Sequence, residues 1–293
     1  MLFVHVEEQA EAVPATILHE RRYCRIYALA NGWLAKVVKG SGNQANVPRA
    51  MRAQVMAWLA RSLMAWDRLT RHSHPGLLRV FAMVSDHEGN HGYACERLTV
   101  FELEDERHPA RETLGAFLRA GIRLAQASGA LHRGGIVHGD ITPSNVCWRD
   151  GLPVLIDLEM SVNYREERSL DPDDSQERIE ATPACCAPEQ VLMVARTPST
   201  DVYCCALTLL SWATGIMGVT GTYWEQTLEQ TFELCVCAEY PHWELARARI
   251  REPMVLDVLE RALSLVPCDR QEDGDVLARQ LQACLDAMLQ VQI

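Results

Sequence analysis

The stretch Ile136-Val-His138-Gly-Asp140-Ile-Thr-Pro-Ser-Asn145, followed by Val154-Leu-Ile-Asp157-Leu-Glu159, decides the reading of this 293-residue chain. An Asp and an Asn five positions apart on one tight loop, with a second Asp at a strand end just beyond, bring three oxygen-bearing side chains to one place. Phosphoryl transfer asks for such a set: an acid to orient a hydroxyl, and two oxygen ligands to hold Mg²⁺ against phosphates.

Outward from this stretch the chain changes character. N-terminal to it, Ala15–Leu18, Cys24–Leu29 and Trp33–Val38 read as strands, with a turn signal at Asn31-Gly32. Gly40–Asn43 reads as a loop, and Pro48 opens a helical pattern to about Thr70. Leu77–Val84 and Gly92–Leu98 read as a hairpin across His87-Glu-Gly-Asn90. After Leu98 helices dominate. The apolar spacing predicts one over Leu114–His132, stopped by Gly134-Gly135, and several more run on to Ile293. Residues 161–182 are polar and charged and too long for an ordinary connector, which marks them as functional or mobile.

Composition excludes several classes. With 28 basic and 39 acidic residues the formal charge is −11, which argues against a nucleic-acid partner held by phosphate neutralisation. Eleven cysteines, an odd number in a long chain, read as buried free thiols of a reducing cytoplasm rather than as a disulfide framework. Cys235-x-Cys237 lacks the partner pattern of a metal site. The N-terminal residues carry no basic segment before a long apolar core, so no secretory leader is expected there. Val202–Trp224 is uncharged and long enough to span a bilayer, but its three Gly, four Thr and one Ser favour a helix buried in a large domain, and no membrane is expected. Only two of the 28 basic residues are Lys, a bias that suggests a GC-rich, bacterial genome.

The motifs resemble the eukaryotic-like (Hanks-type) Ser/Thr protein kinase family, in a divergent form. The catalytic-loop pattern His-x-Asp-x4-Asn is met by His138, Asp140 and Asn145, and the metal-binding Asp-Phe-Gly by Asp157-Leu158-Glu159. Ala187-Pro188-Glu189 and Asp201-Val-Tyr203 follow in the family's order, and the Arg that pairs with Glu189 would be Arg270. The resemblance implies an α+β, two-lobed fold: a small antiparallel β lobe with one helix over 1–96, and a larger, mainly helical lobe over 97–293. It implies ATP and Mg²⁺ as cofactors, with nucleotide at the lobe boundary. Asp140 would orient the substrate hydroxyl, and Asn145 and Asp157 would hold the metal. Lys36, mid-strand in Trp33-Leu-Ala-Lys-Val-Val-Lys39, would neutralise the phosphates, because Lys39 lies three residues on and faces the other side. Glu96 and Leu98 would meet the adenine edge behind Cys95, with Leu34 and Cys147 on the two faces of the ring. Thr182, seven residues before Glu189, would bond the catalytic Asp and points to a protein substrate.

The departures from the family pattern matter as much. Where its Gly-rich loop belongs stands His19-Glu-Arg-Arg-Tyr23, with no glycine to let the backbone approach phosphates; Arg21 or Arg22 either contacts phosphate or sits in a solvated turn. The helical Glu that pairs with the strand lysine is missing: its register falls on Ala65, and no acid occurs between Gly40 and Trp66. Lys36 must then be held by Asp157 or by an acid elsewhere. Gly139 replaces the catalytic-loop Arg, Thr142 a phosphate-contacting Lys, and Glu159 the Gly after Asp157. Cys185-Cys186 replaces an aromatic and reads as buried packing. The expected activity is ATP- and Mg-dependent phosphoryl transfer to Ser or Thr of a protein. A pseudokinase scaffold and a small-molecule phosphotransferase are the alternatives, and the oligomeric state is open.

Overall fold

The computed structural model describes residues 2–7, 11–20, 24–40, 56–57, 59–61, 74–166, 182–192, 194–218 and 242–291. The chain divides into two units, one of residues 1–70 and 78–98, the other of 71–77 and 99–293.

The first unit is built on six strands: β1 Leu2–Val6, β2 Val13–Glu20, β3 Cys24–Leu29, β4 Leu34–Val38, β5 Val80–Asp86 and β6 His91–Cys95. All pairings are antiparallel, in the order β1-β2-β3-β4-β6-β5, and the sheet closes on itself. β1 makes the closure, with Leu2 opposite Ala15 on one side and Val6 opposite Val84 on the other. The reading of the sequence placed no strand there. The signal is a strict alternation: Val4 and Val6 point into the core while Phe3, 42% exposed, and His5 point out. Val4, Val6, Tyr27, Leu29, Ala35, Val37, Val84 and Ala94 form that core, and closure leaves no sheet edge unpaired. Inside it the Tyr27 hydroxyl donates to Asp86 at 3.1 Å, and burial together with the Asp86 charge pushes the phenol up to about 12. The strands before and after the expected hairpin run 80–86 and 91–95, shifted from 77–84 and 92–98 because Asp86 and Asn90 close the turn with mutual hydrogen bonds. Of the helix expected from Pro48 to Thr70, only 56–57 and 59–61 are described, and they are helical; Arg21, Arg22 and Ala65 lie outside the described residues.

The second unit is assembled around α1, Leu114–Arg133. Thr113 caps its N-terminus by accepting the Ala116 N–H at 3.0 Å. α1 lies against α6, Gly274–Val291, at very close approach: a Cβ on Gly129 would collide with Asp275, and one on Gly274 with the backbone of Ala125 and Gly129. Between them in sequence come the short strands β7 Ile136–Val137, β8 Val146–Arg149, β9 Leu152–Leu155 and β10 Val162–Asn163, then α2 Pro188–Val191, α3 Pro198–Thr214, α4 Trp243–Ile250 and α5 Pro253–Ala262. α3 is the buried helix expected within Val202–Trp224, but it begins four residues earlier and stops at Thr214. Gly215 takes φ 79°, which ends the helix, and Arg111 caps the Trp212 carbonyl at 2.7 Å. No helix among the described residues is long and apolar enough to cross a membrane. Trp212 also packs on Trp148 of β8 with ring centroids 5.2 Å apart, which seats the β8–β9 hairpin against α3.

Arg270 locks α2 in place. Its two terminal nitrogens meet the two oxygens of Glu189 at 2.8 and 2.9 Å, and the remaining N–H groups go to the carbonyls of Ser199, Ser264 and Leu265. All five guanidinium donors are thereby used, and the plane stacks over Tyr203 at 4.7 Å. The sequence-level pairing of Arg270 with Glu189 is what the structure contains. Removing one partner strands a buried charge. Glu189→Ala is expected to lose about 3–5 kcal/mol of unfolding free energy, read as a lower urea midpoint with unchanged slope.

Candidate active site

The loop after β7 is held from one direction by α3. Asp201 Oδ2 accepts the His138 N–H at 2.8 Å and Asp201 Oδ1 accepts the Gly139 N–H at 2.9 Å. Two helical turns on, Thr208 donates to the Ile141 carbonyl at 3.3 Å. A third partner of Asp201 is His132 Nε2, at 3.0 Å, and the other ring nitrogen of His132 accepts the Gly274 N–H from the start of α6 at 3.2 Å. That second bond places the His132 proton on Nε2, facing the carboxylate. Asp201 is fully buried. Burial alone would raise its pKa, but the hydrogen bonds from His132 and from the Gly139 N–H outweigh that and hold it below the usual carboxylate range.

His138 passes the order forward. Its Nδ1 accepts the Asp140 N–H at 3.2 Å, and its Nε2 donates to the Ile156 carbonyl at 2.9 Å. Strand pairing does the rest. Val146 stands opposite Leu155 in the β8–β9 ladder, and the Ile156 N–H donates to the Asn145 carbonyl at 2.9 Å. Asn145 and Asp157 therefore emerge side by side from the open end of one hairpin. The Asn145 amide N–H₂ donates to the backbone and side-chain oxygens of Asp140, both at 2.8 Å. This turns the amide oxygen away from Asp140. Asp157 has φ 66°, a left-handed backbone held at the start of a 3₁₀ turn over Leu158–Met160, and Glu159 lies within that turn.

The half-buried Asp140 carboxylate takes two hydrogen bonds, Oδ2 from Asn145 and Oδ1 from the Thr182 N–H at 2.9 Å. Desolvation raises its pKa; the Thr182 bonds pull it back, and the Asp157 charge adds to the rise, leaving it above the usual carboxylate value. Asp140, Asn145, Asp157 and Thr182 are thus brought together within one unit. Cys147 stands in β8 of the same unit, its thiol pushed up to about 11 by burial. The other expected residues belong to the first unit. Leu34 and Lys36 share one face of β4, opposite Cys95 and Tyr93, while Ala35 and Val37 face the barrel core. Glu96 pairs with Arg79 through backbone and side chain, and Leu98 follows, half-buried. Lys39 bonds Glu20 at 2.9 Å. Cys185 and Cys186 are buried, and burial pushes the Cys185 thiol up, which suits packing rather than redox chemistry. Cys235 and Cys237 lie outside the described residues.

The donor set suits Mg²⁺. Among the described residues no group of three His, Cys, Asp or Glu side chains could hold a metal by itself. One carboxylate and one amide oxygen make an incomplete shell of hard oxygen ligands, the kind Mg²⁺ completes with water and substrate phosphates. Sequence reasoning missed Gln190, whose Nε2 donates to the Gly139 carbonyl at 2.7 Å, and Arg196, which lies beside Gly139 and donates to the Met160 carbonyl at 3.1 Å. Neither belongs to a recognisable spacing pattern, because each acts through backbone carbonyls.

No family model matches the chain. Over 208 residues, 68% of its length, it is 28% identical to the DNA damage-responsive serine/threonine-protein kinase RqkA of Deinococcus radiodurans, of which it covers 29%. Over 164 residues, 55% of its length, it is 29% identical to the serine/threonine-protein kinase PknK of Mycobacterium tuberculosis, covering 13% of that protein. A 52-residue segment, 17% of the chain, is 50% identical to the EKC/KEOPS complex subunit BUD32 of Yarrowia lipolytica, covering 21% of it. The chain therefore spans less than a third of each of these relatives. Among solved structures, the kinase PK-1 of Cydia pomonella granulovirus matches with a TM-score of 0.66 over 90% of this chain and 92% of that one, at 15% identity. The fold is that of a protein kinase. Two of these relatives, at 28% and 29% identity, are serine/threonine-protein kinases.

The two buried acids predict opposite pH behaviour in metal-free protein. Asp201 has a lowered folded pKa, so the stability it contributes is present above the unfolded value near 4 and lost as pH falls. Asp140 has a raised one, so its contribution is present at low pH and lost as pH rises. Melting midpoints between about pH 2 and about pH 5 should show wild type gaining on Asp201→Asn with rising pH, and those between about pH 4 and about pH 7 should show it losing ground to Asp140→Asn. Parallel curves would contradict this assignment.

Proposed function

We propose that this chain transfers the terminal phosphoryl group of ATP to Ser or Thr hydroxyls of a protein substrate. One observation carries the reading: Asp140 is held by Thr182 on one oxygen and by Asn145 on the other, beside the hairpin end that presents Asp157. Asp140 accepts a hydrogen bond from the incoming hydroxyl and takes its proton as the new bond to phosphorus forms, and its raised pKa suits that role. Asn145 and Asp157 hold Mg²⁺, which neutralises phosphate charge when bound. Lys36 supplies the positive charge for the α and β phosphates, Leu34 and Cys147 flank the adenine ring, and Glu96, Leu98 and Cys95 meet its edge. The chemistry is positioning and electrostatic stabilisation, with no covalent enzyme intermediate.

Protein rather than metabolite acceptors are supported by Thr182 on Asp140 and by the Arg270–Glu189 anchor, which fixes a segment beside the acceptor position. No disulfide is found between the described cysteines, which supports a cytoplasmic setting. Neither a nucleic-acid nor a membrane partner is proposed.

With labelled ATP, Mg²⁺ and generic acceptor proteins, wild type should transfer label, and Asp140→Asn and Asp157→Ala should each reduce it about 100-fold or more. Lys36→Met should chiefly raise the KM for ATP. Equal label in wild type and Asp157→Ala would overturn the proposal. A MgATP-induced thermal shift without transfer would identify a nucleotide-binding scaffold instead, and turnover of a metabolite panel with proteins unlabelled would identify a small-molecule phosphotransferase.

A further inference from the structure

The peptide between Gly139 and Asp140 is gripped from both ends. Its preceding N–H, on Gly139, goes to Asp201, and its carbonyl accepts the Gln190 Nε2 at 2.7 Å. Gly139 itself has φ 75°, and a Cβ there would lie 3.0 Å from the Met160 carbonyl and 3.1 Å from an Arg196 nitrogen that donates to that same carbonyl. A side chain at position 139 would be strained at that φ and tightly contacted, so the loop is poorly adjusted from its own residues there. It is positioned from outside.

Gln190 is built for that. It is 5% exposed, and its Oε1 accepts the Ala187 N–H at 3.0 Å and lies 3.6 Å from the Cys204 thiol. These three contacts fit one amide orientation; the flipped amide would set donor against donor at Ala187 and acceptor against acceptor at Gly139. The backbone carrying Gln190 is immobilised in turn, because Glu189 is clamped by Arg270. At its other end the same segment reaches Asp140 directly through the Thr182 N–H, and two turns of backbone bonds, Cys185 to Thr182 and Cys186 to Pro183, join the two contacts.

We infer that Gln190 is a positioning residue for phosphoryl transfer, setting the orientation of Asp140 through the Gly139 carbonyl, so that residues 182–190 seat the catalytic acid as one strap. This rests on the reading that Asp140 receives the substrate proton. The side chain is an amide, and the strap closes without a charged or phosphorylated group at Gln190.

The test uses the full chain with Gln190→Met, which removes both polar contacts at similar volume, and Gln190→Glu, which keeps the acceptor toward Ala187 and loses the donor toward Gly139. Both should lower kcat about tenfold while the KM for ATP stays within about twofold. In parallel, hydrogen exchange of a peptide covering 136–145 should quicken in both variants while α1 stays as protected as in wild type. Unchanged kcat and unchanged exchange at 136–145 would overturn the inference, and so would faster exchange spread equally over α1, which marks a general loss of stability. If wild type transfers no phosphate, the kinase reading falls, and the exchange comparison by itself still decides the clamp: faster at 136–145 alone supports it, unchanged overturns it.

Discussion

A single buried carboxylate organises the catalytic half of the molecule. Asp201, with no exposed surface, ties the first turn of α3 to the end of α1 through His132, to α6 through the Gly274 N–H beyond that histidine, and to two successive amides of the 138–140 loop. An ionised group in that position is tolerable because both of its oxygens accept hydrogen bonds, one from His132 and His138 and the other from Gly139. The loop itself contains a glycine at positive φ and no regular structure of its own, so without Asp201 its amides would have no fixed acceptor.

The site shows how burial and neighbours send two aspartates in opposite directions. Asp201 is surrounded by donors and is held ionised. Asp140, a short distance along the hydrogen-bonded network, has Asp157 as a neighbour and only a partial set of donors, and ionises less readily. Between them, His138 uses both ring nitrogens to join the loop to the strand end that carries Asp157. Arg270 performs the matching task at the far end of the 182–190 segment, where a fully satisfied guanidinium supports Glu189 and thereby Gln190.

The first unit departs from a plain small sheet in having β1, which pairs with both β2 and β5 and closes a barrel. Its core is of small and branched residues, with Tyr27 anchored to Asp86 inside. The strand that carries Leu34 and Lys36 is central in that barrel, paired along its length to β3 and β6. Its direction is therefore set by two ladders, independent of any glycine-rich connection between β2 and β3.

Residue type at a short spacing was enough to locate the loop residues Asp140 and Asn145, the strand-end Asp157, the strand with its lone pair of lysines and the α1 helix, whereas the Glu189–Arg270 partnership, between residues far apart in the chain, followed from the resemblance of the motif to a known family. The apolar, uncharged run was enough, too, to place a buried helix within Val202–Trp224, where α3 continues to Thr214. Three things depended on distant parts of the chain meeting. Leu2–Val6 becomes a strand only because β2 and β5 offer it edges on both sides, and its five residues are too few to announce that alone. α3 ends at Thr214 because Arg111, a hundred residues earlier, caps it where Gly215 turns left-handed. Gln190 meets the Gly139 carbonyl of the loop and Arg196 the Met160 carbonyl; every residue possesses a carbonyl, so no pattern of side chains could reveal them, and packing alone selects which is met.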